Sequence, residues 1–257
     1  MQRQTSTHPN LATLVATTNL FIMACWTRDQ LLLALNLYHQ TPFGKQHSTH
    51  PPIVALAEKI DRTPSAVAMK LSNFTFLDPA EGGKGLSGAS KADREIWREF
   101  YENLEALVDE SEPLLTRDPS APSGPTETQS SVTQRRHQSF FRRAVLGCYE
   151  NRCCISGLTV PSLLRASHTI PWSVSKEHRL DPSNGLCLAG TFDLAFDQFF
   201  ISIDENLRLV IGETLQNAKK DKAVVENFLN RSGQTIQLPE KNPPQKKFLA
   251  WHFANLR

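Results

Sequence analysis

No two cysteines in this sequence form a C-x-x-C pair, and the five present (Cys25, Cys148, Cys153, Cys154 and Cys187) are an odd number. Such usage gives neither a disulfide framework nor a zinc knuckle, so no structural zinc is expected and a reducing, cytoplasmic setting fits. No run approaches the roughly 20 apolar residues that span a bilayer, so no membrane partner is expected. Neither sign of charge is in excess: 28 Lys and Arg against 26 Asp and Glu leave a formal +2, too little to name a partner. No segment repeats, and nothing resembles the aromatic platform on which RNA bases stack. What remains is an ordinary globular composition, 40% hydrophobic and 21% charged over 257 residues, enough for one large domain or two small ones.

Two stretches have little that can pack. Leu11–Cys25 (LATLVATTNLFIMAC) ends like a lipoprotein signal, but Thr and Asn interrupt it and Arg3 alone precedes it as a cation. Residues 1–25 are therefore expected to be a disordered extension, or one lying upstream of a translation start at Met23. Between Val108 and Thr133 the chain is rich in Pro, Ser, Thr and acid, which predicts a linker over 109–133. It divides a helical module at 26–108 from a second module at 134–257.

In the first module, Thr27 and Gln30 have capping-box spacing ahead of LLLALNLY. PPIVALAEKI and PSAVAMKLSNF then read as two short helices, with Thr63 as N-cap and Pro64 at the first helical position of the second. Such a pair has the outline of a helix-turn-helix, which would present Ser65, Lys70 and Asn73 to a major groove. It is equally the build of a plain helical scaffold. KADREIWREFYENLEAL reads as one amphipathic helix with Ile96, Phe100 and Leu104 on one face and Trp97 in the core.

The second module is locally basic. From Gln134 to Trp172 it carries Arg135, Arg136, Arg142, Arg143, Arg152 and Arg165 against a single acid, Glu150, a field suited to a polyanion. QRRHQSFFRRAVLGCYE predicts a helix with Phe141, Val145 and Leu146 inward. Strands follow around Cys153–Cys154 and in NGLCLAG, then a short helix TFDLAFDQFF, a hairpin turning at Asp204-Glu205-Asn206, and a last helix packing Trp251 and Phe253. His137 and His178 read as surface residues, and Trp172 as a wedge under a loop.

Three features occur in order: Ala166-Ser167-His168-Thr169-Ile170-Pro171-Trp172, Asn184-Gly185-Leu186, and Phe192-Asp193-Leu194-Ala195-Phe196-Asp197. Singly each is common, since Asn-Gly is a frequent turn and two Asp four apart on a helix are often a solvated face. Together they supply an imidazole that can take a proton from water near neutral pH and two carboxylates on one helical face that suit a hard divalent cation. That is the equipment for hydrolysing a phosphodiester.

The wording from RRHQSFF through CCISG, ASHTIPW, HRLDPSNGLCL and FDLAFD, over about residues 135–205, resembles the HNH, or ββα-metal, endonucleases of the restriction-type bacterial branch. The resemblance implies an α+β fold in which the helical module is linked to a C-terminal hairpin followed by a helix, clasping one Mg²⁺ or Mn²⁺ per active site. It implies His168 as general base, Asn184 as brace of the loop, and Asp193, with Asp197 a turn further on, in the place of the last His. Ser167 stands where many members carry an Asp or His metal ligand. Arg165 and Arg179 flank the site as candidate phosphate contacts, alongside Arg135, Arg136, Arg142, Arg143 and Lys70.

The implied function is metal-dependent cleavage of double-stranded DNA in restriction of foreign DNA, with a homodimer as one route to a double-strand break. The alternatives are a catalytically inactive DNA-binding protein, which Ser167 favours, and a toxin-like nuclease, which only the segment before Cys25 favours.

Overall fold

The computed structural model describes residues 25–116 and 129–257. The expected extension, apart from Cys25, and the centre of the expected linker lie outside the described residues.

Among the described residues, six α-helices precede the first strand. Helix α1 (Arg28–Gln40) begins with the expected capping box, Thr27 and Gln30 each satisfying the other's backbone N–H. Leu31 through Tyr38 are all buried, as befits a helix apolar on nearly every side: it is the central rod, and its neighbours pack around it. Helices α2 (Pro51–Lys59) and α3 (Pro64–Leu77) form the expected pair, with Thr63 Oγ1 accepting from the Ala66 N–H. The face expected to be exposed is corrected, however. Lys70 is buried, its ammonium 2.6 Å from Asp93 at the start of α4 (Lys91–Phe100), and Asn73 is buried too. Ser65 faces solvent as expected, together with Met69. Asp93 closes a capping box with Ser90, so Lys70 serves to dock α3 on α4 and is not presented to a groove.

The amphipathic stretch expected as one helix is two. Helix α4 stops at Phe100 and α5 (Leu104–Thr116) begins after Asn103, whose side chain accepts from the Ala106 N–H at 3.1 Å. An Asn that satisfies a free backbone donor favours a new helix start over continuation. The linker expected at 109–133 is also helical at both ends, in α5 and in α6 (Gln129–Cys148). The acid and Ser that suggested solvation are partly buried: Ser111 and Glu112 both accept from Asn36 Nδ2 of α1, and Glu112 also pairs with Arg143.

Two hydrophobic clusters result. One gathers α1 to α5 around Tyr38, Phe74, Trp97 and Phe100; the other gathers α6 and everything after it, with Val108 of α5, around Phe140, Phe141, Leu164, Phe196 and Ile201. Leu104 touches both. Polar bonds join them: Arg143 to Gln40 and Glu112, His137 to Asp109 at 2.8 Å, and the Lys241 ammonium to the Tyr38 carbonyl at 2.6 Å. His137, expected at the surface, is thus buried between them.

In the second cluster, β1 (Leu164–His168) pairs antiparallel with β2 (Gly185–Ala189), placing His168 opposite Gly185 and Ser167 opposite Leu186. Helix α7 (Gly190–Asp197) follows β2 directly, completing a ββα unit. A second hairpin, β3 (Ile201–Ile203) and β4 (Leu209–Ile211), turns where expected, with Asp204 Oδ1 accepting from the Asn206 and Arg208 N–H groups. Helices α8 (Glu213–Asn217), α9 (Lys222–Asn227) and α10 (Lys246–Phe253) close the chain.

Two smaller expectations are corrected. Cys153 and Cys154 lie in a buried turn, not a strand, with Cys153 Sγ accepting from the Ala189 N–H. On α10 the buried side chains are Phe248, Leu249 and His252, while Phe253 is exposed. Overall the described chain is helix-rich with two small antiparallel sheets, an α+β architecture.

Candidate active site

The ββα unit positions the motif residues. His168 is the last residue of β1 and half-buried. One face of its ring stacks on Phe141 of α6, with centroids 3.6 Å apart and planes 10° from parallel, and the edge of Trp172 approaches from another side at 5.6 Å. Its Nε2 lies 2.9 Å from the carbonyl oxygen of Arg179. A carbonyl only accepts, so in the neutral ring Nε2 carries the proton and Nδ1 is the basic nitrogen. Among the described residues Nδ1 has no hydrogen-bond partner. Burial holds the imidazole pKa below its usual value, against the carbonyl's opposing pull, so the ring is neutral at neutral pH.

The loop that supplies that carbonyl runs from 169 to 184 and is pinned by Asn184, which is buried. Asn184 Oδ1 accepts from the Ile170 N–H at 2.8 Å, and Nδ2 donates to the carbonyls of Ile170 and His178, both at 3.1 Å. Its own carbonyl accepts from Thr169 N–H. One amide side chain therefore ties the residues after His168 to those just before Arg179. Arg179 adds a second tie, donating Nε to the Trp172 carbonyl with its guanidinium 5.0 Å over the Trp172 ring. His178, expected at the surface, is half-buried against Phe248.

Ser167 is buried one residue before His168, and its hydroxyl donates to Asp193 on α7. It holds that carboxylate in place. Asp197, one turn further along α7, is exposed at the helix surface. Partial desolvation of its carboxyl, together with the charge of Asp193, pushes its pKa up to about 6. The structure thus unites Ser167, Asp193 and Asp197, whereas His168 contacts the loop and α6 but neither acid.

Two carboxylates on one helical face, with the charge of Asp193 felt at Asp197, form a hard oxygen donor set that suits a divalent cation whose remaining ligands are water and substrate phosphate. Among the described residues no group of three His, Cys, Asp or Glu is assembled to hold a metal, so the protein would contribute those two carboxylates and no fuller cage.

The candidate phosphate contacts separate into groups. Arg142 donates to the carbonyls of Leu164 and Pro161, and Arg165 to those of Ser162 and Leu164, so both brace the start of β1. Arg143 is bound to Glu112, Gln40 and Ser139. Lys70 lies with Asp93 in the other cluster. Arg179 stays beside the base, while Arg135 is exposed and Arg136 half-exposed near the start of α6.

Two residues of the site were missed as such in the sequence. Phe141 was expected only to pack inward, and Gly185 only to open a strand. A methyl group on Gly185 would run into Val145 and come within 2.9 Å of Phe141 Cζ, so its lack of a side chain is what lets α6 lie against the hairpin. No sequence signal distinguishes such a Phe from an ordinary core residue.

The described helices include none long and apolar enough to cross a membrane. A cleft of about 720 Å³ is lined by His178, Arg179 and Asp181 of the pinned loop, and another of about 530 Å³ by Arg142 and Arg143; neither is lined by His168 or Asp193. No curated protein matches the chain. Residues 153–204 match the family model described as HNH endonuclease, a stretch that holds β1, the pinned loop, β2, α7 and β3, so the C-terminal part of this chain contains an HNH domain.

Proposed function

We propose that this protein is a metal-dependent DNA endonuclease and that His168 is its general base. The observation that carries this reading is the locked imidazole: Nε2 is committed to the Arg179 carbonyl, leaving Nδ1 unprotonated and without a partner among the described residues, next to the residue that holds Asp193. A base with a lowered pKa and an open nitrogen accepts a proton from water at neutral pH. Asn184 keeps the loop, and with it the Arg179 carbonyl, in register. Asp193 and Asp197 would hold Mg²⁺ or Mn²⁺, which when bound offsets the charge that develops on a phosphodiester and its leaving oxygen. Ser167 orients Asp193 and is not itself a ligand in this reading.

Double-stranded DNA as substrate and restriction of foreign DNA as role follow from the branch of the family that the motif blocks resemble. Arg179 is the best-placed phosphate contact. Incubating plasmid with purified protein in Mn²⁺ or in EDTA, for the wild type and for His168→Ala, tests the reading. We expect nicked or linear product only from the wild type with metal, and retained DNA binding by the variant. Equal cutting by the two proteins would remove His168 from the chemistry.

One observation favours a second reading, that of an inactive DNA-binding protein: among the described residues no third His, Cys, Asp or Glu joins the two carboxylates. The same experiment separates the two readings, since such a protein retains DNA binding and leaves the plasmid intact with any divalent ion.

A further inference from the structure

We infer that Phe141 is a positioning residue for the reaction: its ring is the seat on which the His168 imidazole lies. The inference rests on the reading of His168 as base, and it concerns a residue outside the stretch that matches the family, 153–204.

Three observations fix the seat. The two rings are stacked at 3.6 Å and 10°, much closer than a casual aromatic contact, for which centroids are commonly 4.5–7 Å apart. Phe141 is itself immobile, 2% exposed in the cluster that includes Phe140, Val145, Leu164 and Leu186. The strand opposite the base is shaped around it, since Gly185 pairs with His168 across the hairpin and any side chain there would strike Val145 and press on Phe141 Cζ.

The hydrogen bond to Arg179 alone restrains the imidazole only weakly against rotation about Cβ–Cγ, because Nε2 lies close to that axis. A flat surface against one face removes that rotation, and the edge of Trp172 limits the other side. Together they fix the direction in which Nδ1 points. A base held by a hydrogen bond and a stacked face is aimed before substrate arrives, and aim is a large part of proton-transfer efficiency. The stack differs from ordinary core packing in where its effect appears: it orients a reacting group and adds nothing to substrate binding.

The test uses the full chain carrying Phe141→Leu, with Phe141→Met as a second variant that fills the space with a flexible, ringless side chain. Thermal unfolding and circular dichroism identify which variants remain folded. The readouts on a folded variant are kcat and KM for plasmid cleavage in Mn²⁺ and the proton resonances of the His168 ring, which a stacked phenyl shifts upfield. We expect kcat to fall by roughly ten- to a hundredfold, as for a small misplacement of a reacting group, with KM unchanged and the imidazole protons moved downfield. A folded variant with wild-type kcat overturns the inference, as does a fall in kcat accompanied by an equal rise in KM or by unshifted ring protons. If the wild type does not cut at all, the nuclease reading fails, while the ring-proton shift still reports whether Phe141 holds the imidazole.

Discussion

Asp197 shows how a single side chain is tuned by its neighbours. Desolvation and the charge of Asp193 raise its carboxyl to about 6, so the folded protein holds that proton more tightly than the unfolded chain does. The sign follows by linkage: without metal, this group's contribution to stability declines as pH climbs from the ordinary carboxylate range to about 6. A divalent cation reverses the preference, because it competes with the proton and relieves the repulsion between the two acids. Mn²⁺ affinity measured by calorimetry is therefore expected to strengthen as pH rises from 5 to 7, with proton release greatest in the lower half of that range. Asp197→Asn should bind the ion more weakly and with little pH dependence. An isotherm of the wild type that does not change between those pH values would assign the ion to other ligands.

At the scale of elements, α7 matters because it carries both carboxylates, and its position depends on α10. His252 of α10 is buried, stacked on Phe196 of α7 at 3.6 Å, with Nε2 3.0 Å from the Phe196 carbonyl and Nδ1 2.8 Å from Ser202 Oγ on β3. Burial pushes its pKa down to about 4, the carbonyl bond opposing. A folded pKa below the unfolded one means that the contribution is whole above about pH 6.5 and is lost as pH falls toward 4. The loss amounts to about 3 kcal/mol over that interval. His252→Gln should start with a lower melting temperature at pH 7 and lose less than the wild type on acidification to pH 4.5. Parallel curves for the two proteins would rule out His252 as the sensitive group.

The same scale shows what was legible. The capping box at Thr27, the Thr63-Pro64 helix start and the β3–β4 turn are written locally, in residues a few positions apart that satisfy one another, whereas the ββα unit was legible through the resemblance that its motif blocks carry. What stayed hidden depends on partners far along the chain. Lys70 is buried because Asp93 awaits it, the start of the apparent linker is helical where Asn36 and Arg143 bind Ser111 and Glu112, and Phe141 acquires a role only because Gly185 lets α6 approach. The two acids were placed on one helix face by their spacing, whereas the bond from Ser167 to Asp193 required the strand register to be known.

For the whole molecule, the question is whether the helical module and the HNH domain act as one body. Their apolar clusters meet at Leu104 and Val108 of α5, and polar staples also cross between them. The strongest in chemistry is Arg143 with Glu112, because the Glu112 side chain is only 3% exposed while Arg143 remains 38% exposed. Removing the arginine strands a buried carboxylate next to Asn36 and Ser111. A fully buried pair broken in this way costs about 3–5 kcal/mol, and solvent at the guanidinium reduces that to about 1–3 kcal/mol here. Replacing both partners with apolar residues leaves no stranded charge, so Arg143→Met with Glu112→Leu should recover most of what Arg143→Met alone loses. Scanning calorimetry of the two single variants and the double variant checks this: we expect one cooperative transition in the wild type, and in Arg143→Met an early transition for the helical module ahead of the HNH domain. Because α6 carries Arg143 on one side and Phe141 on another, loosening the staple should also reduce cleavage while DNA binding is retained. Additive losses in the two single variants, with no recovery in the double, would mean that the pair is a surface contact and that the two clusters are held together elsewhere, by Lys241 on Tyr38 or His137 on Asp109.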